Sequence, residues 1–201
     1  MKTIAVFASG NGTNFQAIVD CIKSGMLKVH IALLVSDKPR AFVLKRAKEA
    51  NIKTLFADPK KFETRQEYES YIIKRLREEG VELIVLAGFM RILSPFFIKK
   101  YKNRILNIHP SLLPAFGGKD AIKKAFCYGV KATGVTVHLV DEKVDHGPII
   151  IQEPLTVLDH ETMQDLEARI HQIEHKIYPE AIDRVVSTRF IVRGRKVIFK
   201  S

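Results

Sequence analysis

Short apolar runs alternate with helix-period stretches through the first hundred residues. Thr3 to Ala8 and Ile31 to Val35 are β-rich runs, while Asn14 to Ile22 and Phe42 to Ala50 space their apolar residues as helices do. Asn51 to Phe56 follows, and then RQEYESYIIKRLREEG, a long amphipathic helix that stops at Gly80. Leu83 to Ala87 and Ile105 to Ile108 are short continuous apolar runs of the kind that parallel strands buried on both faces display. From about residue 118 the rhythm changes to a helix, two longer and partly antiparallel strands (TGVTVHLV and GPIIIQEPLTV), the helix Thr162 to Tyr178, and a terminal hairpin turning at Arg193-Gly194. The expected fold is α/β: a Rossmann-like parallel βαβ half over 1–100, continued by a mixed half with antiparallel strands over 101–201, together one domain.

Composition narrows the class. A chain of 201 residues that is 46% hydrophobic and 27% charged buries a sizeable core, and no apolar stretch approaches the ~20 residues of a membrane span. A cytoplasmic protein is expected. Cys21 and Cys127, with no CxxC pair, read as buried free thiols rather than a disulfide or thiolate metal site. The net charge of +11 raises the question of nucleic acid. In LKRAKEA and IIKRLREE, however, acidic neighbours accompany the basic residues, and no nucleic-acid motif is present. Small anionic substrates suit the charge as well, and nucleic acid is not expected as the primary partner.

In a sheet of this type ligands gather where strands end and helices begin. Four stretches with unusual chemistry fall at such positions. SGNGTN (Ser9 to Asn14) joins the first strand to the first helix, where glycines permit close backbone approach and a helix N-terminus receives an anion. It lacks the third glycine of a dinucleotide loop and the lysine of a triphosphate loop, so a small phosphomonoester fits better. A glycine turn capped by Thr13 or Asn14, with no ligand, is the alternative. AGFMRILSP (Ala87 to Pro95) sets Phe89, Met90, Ile92 and Leu93 around Arg91; it reads equally as core or as the lining of a pocket for a flat organic molecule.

NIHPSLLP and VDHGPII supply the reactive chemistry. Asn107 can donate its amide to an oxyanion, His109 can serve as acid, base or charged donor, and Asp145 can favour the charged imidazole by pairing with it. Pro110 and Pro114 stiffen the loop between them. These groups suffice for acyl transfer in which the substrate's amine is the nucleophile. HQIEH (His171 to His175) spells a metalloprotease pattern, but Met163, Leu166, Ile170, Ile173 and Ile177 mark the buried stripe of that helix. His171 and His175 then lie outside the stripe, Glu174 sits at its edge, and no third ligand follows.

Taken together, SGNGTN, AGFMRILSP, NIHPSLLPAF, GVTVHLVDEKVDHGPII and EHKIYP resemble, in order and spacing, the phosphoribosylglycinamide formyltransferases of the folate-dependent formyltransferase family. NIHPSLLP and DxGPII are shared by the wider family, whereas SGNGTN points to the glycinamide ribonucleotide. The resemblance implies a catalytic trio of Asn107, His109 and Asp145. It implies substrate contacts from Asn11, Gly12, Thr13, Asn14 and Glu174, and folate contacts from Arg65, Met90, Arg91, Ile92, Leu93, Asn107 and Asp141. It further implies 10-formyltetrahydrofolate as co-substrate, no metal, no ATP, small-molecule partners only, no membrane, and a monomer or homodimer. The second domain of methionyl-tRNA formyltransferase and the N-terminal domain of formyltetrahydrofolate deformylase are not expected. One departure stands out: Gly117-Gly118-Lys119-Asp120 replaces a Pro-Gly segment with a following histidine, which is expected to alter affinity or mobility near the substrate.

Overall fold

The computed structural model describes residues 1–200. The chain divides into two compact units, Met1–Leu106 and Asn107 onward.

In the first unit, β1 (Lys2–Phe7), α1 (Thr13–Lys23), β2 (Val29–Ser36), α2 (Phe42–Glu49), β3 (Thr54–Phe56), α3 (Arg65–Glu78), β4 (Leu83–Leu86) and α4 (Pro95–Lys100) follow in order, and β5 (Ile105–His109) begins there. β1 pairs in parallel with β2 on one side and β4 on the other, and β2 pairs in parallel with β3. Ile4 to Ala8 are wholly inaccessible, because helices cover both faces of a central parallel strand. Because β2 lies on one side of β1 and β4 on the other, the order reverses at β1, which opens a crevice beyond the carboxyl ends of β1 and β4. SGNGTN and AGFMRILSP leave the sheet at those two ends. Pro95 opens α4 and Ser94 caps it, as its position before a proline at N1 suggests.

The second unit holds the end of β5, α5 (Ala121–Tyr128), β6 (Ala132–Leu139), β7 (Ile149–Thr156), α6 (Met163–Ser187), β8 (Phe190–Arg193) and β9 (Lys196–Phe199). β6 and β7 are antiparallel, β8 and β9 form the terminal hairpin, and β9 joins β7 in parallel at Ile149 and Lys196. The α/β class, with a parallel part and a mixed part, is as the hydrophobic pattern implies.

Three local expectations need correction. Helix α6 does not stop at Tyr178 but continues through Pro179 to Ser187. Proline removes one backbone bond, but Tyr178, Pro179, Ala181 and Ile182 are all buried, and that packing holds the next two turns. The buried stripe of α6 runs through Leu166, Ile170, Glu174, Ile177 and Tyr178, so Glu174 lies within it while Met163 and Ile173 are only half-buried. Spacing by four from Leu166 and Ile170 leads to position 174, and helical phase outweighs the polarity of the residue there. The cysteines are not both buried: Cys21 is half-buried and Cys127 exposed. Ala121 and Ala125 define the inner face of α5, and a residue two positions beyond Ala125 is turned about 200° away from it.

Candidate active site

In the second unit β5 ends on His109, and the next residues are pinned from beneath. Thr136 Oγ1 donates to Ser111 O (2.7 Å) and accepts from Leu113 N (3.1 Å), while Gln152 Nε2 donates to Leu113 O (2.9 Å). Ser111 Oγ donates to Ala115 O at 2.6 Å. A β-branched hydroxyl and an amide from β6 and β7 thus fix the Ser-Leu-Leu-Pro loop, whose Leu113-Pro114 bond is cis. Asn107 and His109 are two residues apart on β5 and share a face of the strand.

Asn107, His109 and Asp145 meet. His109 Nδ1 lies 3.3 Å from Asp145 Oδ2, and Asn107 Nδ2 donates to Asp145 Oδ1 at 3.3 Å. Asp145 is held at a positive φ of 49° in the turn before Gly147-Pro148, and Gly118 N donates to its Oδ2 at 2.8 Å. Gly147 is obligatory because a Cβ there would collide with Leu139 O. Burial opposes ionisation of Asp145 and is the largest single influence. The His138 and His109 imidazoles and the Gly118 N–H together outweigh it, and the carboxyl is held below its usual range.

His109 commits both ring nitrogens to protein atoms. Its Nε2 lies 3.0 Å from Phe116 O, a carbonyl that can only accept, so this nitrogen carries a proton. Its Nδ1 faces the Asp145 carboxylate, so the ring lies between two oxygens, with Nε2–H directed at the carbonyl. Phe116 itself adopts φ 53° immediately before Gly117-Gly118-Lys119-Asp120.

His138 completes the cluster and was not foreseen. Its Nδ1 donates to Leu139 O (2.8 Å), and its Nε2 lies 3.2 Å from Asn107 Nδ2 and 3.7 Å from Asp145 Oδ1. The available signal was a histidine inside TGVTVHLV, a buried polar residue in an apolar strand; it is only 2% exposed.

Asp141 lies on the same loop as Asp145 but does not join the trio. It accepts from Lys143 N (3.0 Å), and its other oxygen is 2.7 Å from His146 Nδ1, whose Nε2 accepts from Arg195 Nη1 of the hairpin (2.8 Å). On α6, Glu174 is buried and meets His171 Nδ1 at 2.8 Å. That hydrogen bond is the main reason the His171 pKa is raised, while burial lowers that of His175. Among the described residues, no group of three His, Cys, Asp or Glu side chains is arranged to hold a metal ion.

The first unit carries the other expected contacts. Gly12, with φ 79°, is itself the N-cap of α1, so neither Thr13 nor Asn14 occupies that position. Ser9 ties the two loops together: its N–H donates to Gly88 O (3.1 Å), its hydroxyl donates to Asp37 Oδ1 (2.6 Å) and accepts from Met90 N (3.0 Å). Met90 and Ile92 are each 65% exposed, Arg91 is exposed, and only Leu93 is buried. Two large apolar side chains left in solvent at a strand's carboxyl end are unlike core and suit the lining of a ligand site. Arg65 donates to Ile92 O and, through Nε, to Glu69 Oε1 (3.2 Å). Buried Glu69 in turn accepts from Ser94 N (2.9 Å) and Ser94 Oγ, so this second unforeseen residue fixes the loop.

A parallel βαβ sheet with a glycine loop on its first turn, and an Asn-His-Asp cluster on a mixed extension, define a class: the chain belongs to the formyl transferase family, matching it over residues 2–182. Within that family it is 48% identical, over 92% of its own length and 95% of the other's, to the phosphoribosylglycinamide formyltransferase of Bacillus subtilis (strain 168). Glycinamide ribonucleotide transformylase 1 of Symbiobacterium toebii superposes with a TM-score of 0.96 at 43% identity, covering 100% of this chain and 95% of that one. The corresponding structure from Geobacillus kaustophilus gives 0.89 at 49% identity, covering 91% and 97%.

Proposed function

We propose that this chain transfers the formyl group of 10-formyltetrahydrofolate to the amine of 5'-phosphoribosylglycinamide, a step of purine biosynthesis, giving 5'-phosphoribosyl-N-formylglycinamide and tetrahydrofolate. The observation that carries this reading is the meeting of Asn107, His109 and Asp145 in a chain so similar, end to end, to enzymes of that name.

The glycinamide amine attacks the formyl carbon, and the carbonyl oxygen takes up negative charge. His109 Nε2–H exchanges Phe116 O for that oxyanion, and an Asn107 amide N–H exchanges His138 Nε2 for the same oxygen. Asp145, ionised, keeps His109 charged and in place. Collapse of the tetrahedral intermediate breaks the bond to the folate nitrogen, which receives the proton lost by the amine, directly or through water. The substrate supplies the nucleophile, so the protein forms no covalent intermediate, and the step calls on neither ATP nor a metal. Asn11 to Asn14 take the ribonucleotide phosphate at the start of α1, and Glu174 takes polar groups of the same substrate. Arg65, Met90 to Leu93, Asn107 and Asp141 take the folate, with the exposed Met90 and Ile92 against its flat ring. A cytoplasmic location accords with small-molecule substrates and with the lack, among the described residues, of any helix able to cross a membrane.

The test follows tetrahydrofolate production spectroscopically, with and without the ribonucleotide, in wild type and His109→Ala. Turnover that requires the ribonucleotide, and falls by at least about 10²–10³ in the variant, is the expected result. Release of formate without the ribonucleotide would show a deformylase instead, and inert folded protein would rule out the reaction.

A further inference from the structure

The glycine loop is held by a residue of the neighbouring helix that no motif singles out. Arg46, on α2, donates from Nε to Asn11 O and from Nη2 to Asn11 Oδ1, both at 2.9 Å, so one guanidinium fork grips the backbone and side chain of the same loop residue. Its third bond, from Nη1, reaches Gln16 Oε1 on α1 at 3.4 Å. The guanidinium also lies over the Phe42 ring, 5.0 Å from the centroid, which restrains it from behind.

The rest of α2 reinforces the grip. Val43 N donates to Gly10 O at 3.1 Å, and a Cβ on Gly12 would collide with Val43. The carbonyls of Gly10 and Asn11 are therefore both turned toward α2. In a trans peptide the N–H points opposite to the C=O, so the amides of Asn11 and Gly12 are both turned away from α2. They run directly into the N-terminal turn of α1, whose first ladder bond is Gln16 N–H to Gly12 O at 2.9 Å. Successive amides aimed one way form a concave anion receptor. None of the three Arg46 bonds goes to a carboxylate, so its charge is not cancelled at the loop.

We propose that Arg46 is a positioning residue that holds the Asn11-to-Asn14 loop in its phosphate-receiving form through its fork on Asn11. The proposal rests on the assignment of that loop to the ribonucleotide phosphate. It separates two roles that charge alone would merge: a lysine supplies the cation but not the planar fork.

Steady-state kinetics of wild type, Arg46→Met and Arg46→Lys, with each substrate varied in turn, test it, alongside calorimetric titration of each protein with inorganic phosphate. The expected result for Arg46→Met is a KM for the ribonucleotide raised about tenfold or more, as loss of a charge-assisted bidentate contact implies, with KM for the folate and kcat within about twofold. Phosphate binding weakens in parallel. Arg46→Lys is expected to recover only a minor part of the loss. Full recovery in Arg46→Lys would overturn the fork in favour of simple charge, and an unchanged ribonucleotide KM in Arg46→Met would overturn the role altogether. The phosphate titration does not depend on turnover: if wild type fails to transfer formyl groups, the assigned reaction fails, while a difference in phosphate binding between wild type and Arg46→Met still decides the role of Arg46.

Discussion

Asp145 concentrates several influences at one carboxylate. It receives the Gly118 N–H and the Asn107 amide, faces His109, and sits in a left-handed backbone conformation that non-glycine residues adopt at a cost of about 1–3 kcal/mol. Its lowered pKa links it to stability. A carboxyl that binds its proton less readily in the folded state adds stability above its unfolded value, near 3.9, and that stability is lost as the pH falls through the lower folded value. Asp145→Asn is therefore expected to unfold at lower urea than wild type at pH 7, with the two midpoints converging as the pH falls below the unfolded value of about 3.9. Midpoints measured across that range check it, and a constant gap would mean that the lost contribution is packing rather than ionisation. In the same variant kcat is expected to fall steeply, since His109 loses the carboxylate that faces its Nδ1.

Elements set how firmly these residues are held. Helix α6 opens on a full capping box, in which Thr162 Oγ1 accepts from Asp165 N and Asp165 Oδ2 accepts from Thr162 N, and it ends well beyond an internal proline. Thr162→Ala removes the box and is expected to cost about 1 kcal/mol in chemical denaturation while leaving turnover unchanged, because Glu174 lies three turns further on. A fall in turnover of the folded variant would mean that the helix start matters to the substrate contact proposed for Glu174. The strand pair β6 and β7 does comparable work for the His109 loop through Thr136 and Gln152. Glu69 of α3 does the same for the loop that presents Met90 and Ile92.

For the whole chain, the net charge of +11 is the property that reaches farthest. Both proposed substrates are anions, and a cationic protein gathers them from solution by a field that salt screens over a Debye length of about 10 Å at 0.1 M. Raising the salt from about 0.02 to 0.2 M is expected to lower kcat/KM for the ribonucleotide several-fold, with kcat nearly constant. An unchanged kcat/KM would assign the surplus lysines and arginines to solubility alone.

Much of this was already written in the chain. Apolar runs without alternation imply buried parallel strands, and β1 and β4 are such strands; Gly10 and Gly12 imply a loop that the backbone must approach closely, and Gly12 is held at φ 79°. Asn107 and His109 share a face because a strand repeats every two residues, so their pairing followed from local geometry. What lay beyond the sequence were contacts between residues distant along it. The fork of Arg46 on Asn11 spans 35 positions, the hydrogen bond of Asn107 to Asp145 spans 38, and the approach of His138 to Asn107 spans 31. The stripe of Met163, Leu166, Ile170, Ile173 and Ile177 puts Glu174 at the edge of its helix, and tertiary packing places it inside; the helix expected to end at Tyr178 runs on through Pro179, held by the packing of its neighbours. The sequence by itself determined the elements, the order of the chemistry along the chain and the residue types available to it, because propensity and periodicity are local. Only the tertiary structure decided which polar groups are buried together and what each is bonded to, because burial and hydrogen-bond partnership depend on segments that meet only once the chain has folded.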